Sequence, residues 1–207
     1  MRFFRTPSLL PALYPGLKWR VRTDEKVVYL TFDDGPSPGV TEFVLDALNE
    51  FDAHATFFCI GNNIAKHPSI FDKVVGQHHK VGNHTYKHLK GWSTSVSSYK
   101  QDVDECQTLM KQSKLFRPPY GRIKRSQIRS LESYDIVMWD VLTYDYAKLS
   151  SQEQTLSGVI RATRPGSIVV FHDSLKAEVN VRFMLPRFLK HFSELGYRFE
   201  SLPDEFK

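Results

Sequence analysis

Val27-Val28-Tyr29-Leu30-Thr31-Phe32 runs straight into Asp33-Asp34-Gly35-Pro36-Ser37. A run of β-branched and aromatic residues reads as a buried strand, and Gly-Pro ends it. Both carboxylates therefore emerge at the C-terminal edge of that strand, where α/β folds carry their chemistry. Two like charges fixed side by side repel, and a cation or a proton relieves the repulsion. One carboxylate can then ligate a metal while its neighbour serves as a base. The same residues also make an ordinary Asx turn followed by a helix cap, and this segment alone supports the two readings about equally.

His84 and His88, in Val81-Gly82-Asn83-His84-Thr85-Tyr86-Lys87-His88, break the tie. In a helical or turn-like segment, positions i and i+4 share a face, so both imidazoles reach one ion. A His-x3-His pair alone is weak. With a strand-end acid it makes a two-His, one-carboxylate set that leaves coordination positions open for water and substrate, as hydrolytic zinc centres require. Non-haem iron oxygenases use the same set, so both chemistries stay open at this point.

At 207 residues, with 41% hydrophobic and 13% aromatic residues, the chain can bury the core of one globular domain. Pro7, Pro11 and Pro15 interrupt the apolar pieces of the opening segment, and no later stretch is long enough to span a bilayer. The expectation is a cytoplasmic monomer without an integral membrane segment, unless export uses a route the sequence does not display. Cys59 and Cys106 read as small core residues. The net charge of +5 favours an anionic polymer or an anionic surface. Lys124, Arg125 and Arg129 read as a solvated helix face, and no motif points to nucleic acid.

Short apolar runs alternate with amphipathic segments. Strands are expected over 27–32, 55–60, 80–83, 114–117, 136–140, 167–171 and 197–200. Helices are expected over 40–51, 64–77, 96–111, 125–132, 152–163 and 181–195. This βα alternation predicts an α/β fold, a distorted (β/α) barrel of about seven parallel strands. Residues 1–26 form an extension packing on it, and 27–207 form the catalytic domain.

Thr31-Phe32-Asp33-Asp34-Gly35, His84-Thr85-x-x-His88, Arg117-Pro118-Pro119-Tyr120, Trp139 with Asp145, and Val170-Phe171-His172 resemble the five ordered motifs of the polysaccharide deacetylases. This is carbohydrate esterase family 4, the NodB homology domain. The resemblance covers nearly the whole chain. The fourth motif departs from the family: Leu142-Thr143-Tyr144-Asp145-Tyr146 stands where relatives often carry Asp-x-x-Asp-Trp.

The resemblance implies that Asp34, His84 and His88 ligate Zn2+, or another divalent transition metal such as Co2+. It implies that Asp33 is the base acting on metal-bound water, which attacks the acetyl carbonyl. The backbone N–H of Tyr120 would hold the oxyanion, His172 would protonate the departing amine, Asp145 would orient His172, and Arg117 would pair with Asp33. Tyr120, Trp139 and Val170 would contact the substrate, the last two around the acetyl methyl. The implied enzyme removes N-acetyl groups from N-acetylglucosamine-containing glycans of the peptidoglycan or chitin type. The alternatives are an O-acetyl xylan esterase using the same site, a non-haem iron oxygenase, and a catalytically decayed glycan-binding module.

Overall fold

The computed structural model describes residues 3–110 and 113–206. The predicted strand at 27–32 is β1 (Val27–Asp33), and it lies at the centre of the sheet. β2 (Thr56–Cys59), β3 (Lys80–Asn83), β4 (Leu115–Phe116) and β5 (Asp135–Ile136) follow on one side. β7 (Ile168–His172) and β6 (Val141–Leu142) lie on the other, and β8 (Arg198–Glu200) pairs with the start of β1. Every pairing is parallel.

The two-residue period of β1 assigns its side chains to two environments. Val28, Leu30 and Phe32 point into the layer that also contains Val44, Leu48, Leu185 and Phe188. The last four belong to α2 (Val40–Asn49) and α8 (Glu178–Glu194). Tyr29 packs instead with Phe58, Val137 and Ile168 in a separate cluster inside the curl. Thr31 and Asp33 share that inner face, so the same alternation that buries the strand delivers Asp33 to the interior.

The expected barrel of about seven parallel strands is present, as a path of seven with β8 beside β1, but the expected strand at 136–140 is not continuous. Of that stretch only Ile136 lies in a strand, β5; β6 begins just beyond it, and residues 137–140 cross between these two edges of the main sheet. Along the crossing, Val137 N donates to Phe116 O on β4, and Asp140 N donates to Ile168 O on β7. A sheet whose edges are joined by four residues must curl almost closed. The remaining seam is filled by the N-terminal residues. Lys18 N donates to Ile136 O, Met138 N to Lys18 O, Thr6 N to Asp140 O and Leu142 N to Phe4 O. Edge groups that would otherwise template further strand pairing are thereby satisfied.

Three other expectations are corrected. The helix expected over 64–77 is two helices, α3 (Gly61–Lys66) and α4 (Pro68–Gly76), because Pro68 cannot donate the backbone bond that continuity needs. A short helix, α1 (Leu9–Leu13), occupies the extension, where none was expected. α8 begins three residues before the expected 181. The remaining helices are α5 (Val96–Gln107), α6 (Arg125–Ser130) and α7 (Gln152–Ala162). Residue 111, the expected end of α5, lies outside the described residues, as do residues 1 and 2 of the extension. Cys59 and Cys106 are buried and free, as expected.

Gly158 on α7 marks where the N-terminal segment docks, since a Cβ there would run into the Phe4 ring. Gly158→Val should push Phe4 out of the seam and destabilise the protein by about 1–3 kcal/mol. Denaturant unfolding checks this, and a wild-type midpoint would mean that the seam tolerates repacking.

Candidate active site

The C-terminal ends of β1, β3 and β7 open into a cavity of about 650 Å3 lined by Asp33, Asp34, His84, His88, Trp139 and His172, among others. Tyr120 and Val170 also line it. The five sequence motifs therefore meet at one place. Arg117 and Asp145 stand directly behind the lining, each bonded to a residue that forms it.

Asp33 is held by Arg117, whose Nη1 donates to Asp33 Oδ1 at 2.7 Å. The guanidinium is fully buried. It also donates to Thr31 Oγ1, Val137 O and Met138 O, and it lies 4.1 Å from the centre of the Phe58 ring. Burial lowers its pKa and the Asp33 charge opposes that shift. A buried guanidinium so closely partnered stays charged.

Asp34 turns away from Asp33 because its backbone is left-handed, with φ at 83°. Its Oδ1 lies 3.2 Å from His88 Nε2 and 3.6 Å from His84 Nε2. All three potential ligand atoms lie within 4.8 Å of one another. Zinc ligands about 2.0–2.2 Å from a tetrahedral ion stand about 3.3 Å apart, so the donor set fits such an ion with small adjustments. His84 Nδ1 lies 2.8 Å from Arg117 O. That bond leaves Nε2 as the free lone pair aimed at Asp34. Burial pushes the His84 pKa down to about 4; His88 and Arg117 also lower it, and Asp33 and Asp34 oppose the shift. Burial raises the Asp34 pKa, but the His88 hydrogen bond and the histidine charges outweigh it, leaving the carboxyl well below its usual range.

The two imidazoles do not share a helix. Residues 84–90 form an irregular turn in which Thr85 and His88 both have positive φ. Side chains hold its backbone: Asn83 Oδ1 accepts from Thr85 N, Thr85 Oγ1 from Leu89 N, and Asp102 Oδ2 from both Tyr86 N and Lys87 N. The sequence reading gave no role to Asn83, Thr85 or Asp102, because side chains that bond to backbone leave no spacing pattern.

On the other flank, β7 pairs with β1 in a register that sets His172 beside Asp33. His172 Nδ1 lies 2.7 Å from Asp145 Oδ1, and Asp145 Oδ2 accepts from His172 N. Burial lowers the imidazole pKa, but the charge and hydrogen bond of Asp145, joined by the charges of Asp34 and Asp33, raise it to about 9. The neighbouring Asp173 is also buried, accepting from Gly35 N at 3.0 Å and Thr41 Oγ1 at 2.7 Å. It ties the turn after Asp34 to the strand that carries His172, and the sequence reading did not single it out. Ser174 Oγ, which borders the cavity, is buried without a protein partner among the described residues. Tyr120 sits in a tight turn with φ at 60°, its ring 4.6 Å from that of His88.

A family model described as polysaccharide deacetylase matches residues 20–139, more than half of the chain. The chain belongs to the polysaccharide deacetylase family. It is 31% identical over 194 residues to a peptidoglycan-N-acetylglucosamine deacetylase of Bacillus cereus, covering 90% of this chain and 91% of that one. It is 28% identical to the peptidoglycan-N-acetylmuramic acid deacetylase PdaC of Bacillus subtilis, covering 86% of this chain and 38% of PdaC. Its fold superposes on the solved Bc1960 peptidoglycan N-acetylglucosamine deacetylase with a TM-score of 0.88 at 28% identity, covering 97% of each chain. Membership makes the protein a hydrolase of a metal-dependent family, which fits the Asp34, His84 and His88 cluster.

His84→Ala, His88→Ala and Asp34→Ala should each weaken divalent-metal binding by more than the ~10–100-fold that outer partners of metal ligands carry. Titration of zinc or cobalt into metal-stripped protein measures this. Wild-type affinity in any folded variant would remove that residue from the ligand set.

Proposed function

We propose that this polysaccharide deacetylase removes N-acetyl groups from N-acetylglucosamine residues of a peptidoglycan-type glycan. One observation carries the reading. A single cavity presents three ligand-type side chains on one flank, a buried carboxylate beside them, and an imidazole with a buried carboxylate partner on the other flank. The relatives named above support the substrate class.

Asp34, His84 and His88 would hold the ion, with zinc the reading their donor set favours. When bound, it would lower the pKa of a water toward ~7 and polarise the acyl oxygen. Asp33, fixed by Arg117 and clear of the ligand set, would accept a proton from an attacking water. Charge developing on the acyl oxygen meets the N–H of Tyr120, the first backbone donor after two prolines that have none. Val170, Trp139 and Leu142 bound the apolar part of the cavity, where the acetyl methyl fits. His172, protonated at neutral pH through Asp145, gives its proton to the departing nitrogen. An amide nitrogen is a poor leaving group without that proton. Leu142 leaves the cavity wall apolar where relatives often carry an acid, so sugar hydroxyls must find partners elsewhere.

Acetate release should be measured on acetylated peptidoglycan fragments, N-acetylated chito-oligomers and acetylated xylan, with zinc or cobalt restored. Preference for acetylated xylan would turn the assignment toward an esterase. Asp33→Asn should fold and bind metal normally yet lose ~10²-fold or more in turnover. Near-normal turnover would remove Asp33 from the base role.

His172→Ala should impair cleavage of an N-acetyl sugar far more than that of an aryl acetate, whose phenolate departs without a proton. Equal losses would mean that His172 binds substrate and does not donate the proton. Asp145 raises the His172 pKa, so Asp145→Asn should move the alkaline limb of kcat/KM to lower pH. An unmoved limb would show that this limb reports another group.

A further inference from the structure

On the outside of the seam, away from the active-site cavity, lies a second cavity of about 910 Å3. Its lining includes five basic residues, Arg5, Lys18, Arg20, Arg22 and Arg164, and none of its lining residues borders the active-site cavity. The acids facing these cations are few. Asp140 pairs with Arg164 at 3.2 Å, and Asp135 lies 3.8 Å from Lys18. Arg5 and Arg20 donate to uncharged carbonyls, those of Ala162 and Pro165, which satisfies their N–H groups without neutralising them. Burial and the charge of Arg164 lower the Arg20 pKa, with a smaller push from Arg5, while Asp140 and Asp24 oppose the shift. Such a cluster stores repulsion that an external anion relieves.

Beside this cavity stands α1, which buries none of its residues. Leu9, Leu10 and Leu13 are 66%, 40% and 52% exposed, and Phe3 is 67% exposed. The far side of α1 is basic as well. Leu13 helps line a smaller cavity with the exposed residues Arg125 and Arg129, and Arg125 lies 5.8 Å from the centre of the Tyr14 ring. Large apolar side chains standing in water and flanked on two sides by cations meet complementary chemistry where anionic headgroups adjoin hydrocarbon. A soluble polyanion would satisfy the arginines and leave the leucines in water.

We propose that α1 and its basic flanks form a docking surface for an anionic phospholipid bilayer. Leu9, Leu10, Leu13 and Phe3 enter the headgroup boundary while the cations contact lipid phosphates. Two weak signals, a small apolar insertion and a polybasic surface, are what reversible anchoring needs. The basic cavity opens beside the start of β7, where Arg20 pairs with Ser167 and bonds to Pro165 O. His172 is at the other end of the same strand. No residue that lines the basic cavities lines the catalytic cavity, so docking there leaves the catalytic lining itself uncovered. This inference is independent of the deacetylase reading, and its test does not use turnover to detect binding.

The full chain is sedimented with unilamellar vesicles of phosphatidylglycerol and phosphatidylcholine, and in parallel with vesicles of phosphatidylcholine alone. Binding is expected only to the anionic vesicles, and added salt should weaken it. Leu9→Ser/Leu10→Ser/Leu13→Ser and, separately, Arg22→Gln/Arg125→Gln/Arg129→Gln should each weaken it by about 10²-fold. Their thermal unfolding should stay near wild type, because every altered side chain is exposed. Leu9→Ser alone, which should weaken binding several-fold, replaces the triple variant if that unfolds. No binding by the wild type, or equal binding to neutral vesicles, overturns the proposal. So does a leucine variant that binds normally while polyphosphate displaces the vesicles, since that result describes a site for soluble polyanions.

Discussion

A guanidinium sealed inside a protein must have its charge and its N–H groups met on the spot, because no water will do it. Arg117 is that group here, and its partners come from two distant parts of the chain. Asp33 and Thr31 lie on β1, while Val137 and Met138 offer carbonyls from the segment that joins the two edges of the sheet. The strand order, the near-closure of the curl and the position of Asp33 therefore converge on one side chain. Its backbone takes part too. Arg117 N donates to Asn83 O, which fixes β4 against β3, and Arg117 O meets His84 Nδ1. One residue thus sets the orientation of the carboxylate with its side chain and that of a candidate metal-binding imidazole with its carbonyl.

Around this anchor the site is assembled from backbone that is unfavourable for ordinary residues. Asp34, Thr85, His88 and Tyr120 all have φ between 56° and 83°, in the left-handed region where side chains other than glycine are uncommon. Such conformations cost on the order of 1–3 kcal/mol each and persist only where the surroundings over-determine them. The surroundings here are visible. Asn63 Nδ2 donates to Asp34 O at 2.7 Å, Asp173 holds Gly35 from the far side, and Asp102 grips the turn between the two histidines. The result is a set of polar side chains aimed into a cavity by loops with little freedom to relax.

The sequence shows the site more fully than it shows the fold. Asp33, Asp34, His84, His88 and His172 follow strands at positions a linear reading can mark, since strand ends are where α/β chemistry gathers. Arg117 and Asp145 came with the resemblance, but two other supporting residues, Asp102 and Asp173, were not legible. Asp102 reaches its two backbone N–H groups from a helix, and Asp173 reaches Thr41 across 132 positions, so neither belongs to a local period. The run from Ile136 to Asp140 misled for a related reason. Its apolar composition suits one strand, but the curl of the sheet needs those residues to cross between two edges, and tertiary closure prevailed over local propensity. Likewise, the helix pattern over 64–77 was right in its apolar positions and wrong in its continuity, which Pro68 denies.

The two buried imidazoles show why position, more than residue type, divides the chemistry. His84 and His172 start from the same pKa of 6.5 and are both nearly or wholly enclosed, so burial pushes both toward the neutral form. They then part. His84 sits near Arg117 and His88, gives Nδ1 to a neutral carbonyl, and falls to about 4, the uncharged state in which a nitrogen lone pair can bind a cation. His172 gives Nδ1 to a buried carboxylate and rises to about 9, the charged state from which a proton can be donated near neutrality. The partner of one ring nitrogen thus decides what the other can do. A carbonyl behind the ring prepares a ligand, and a carboxylate behind it prepares an acid.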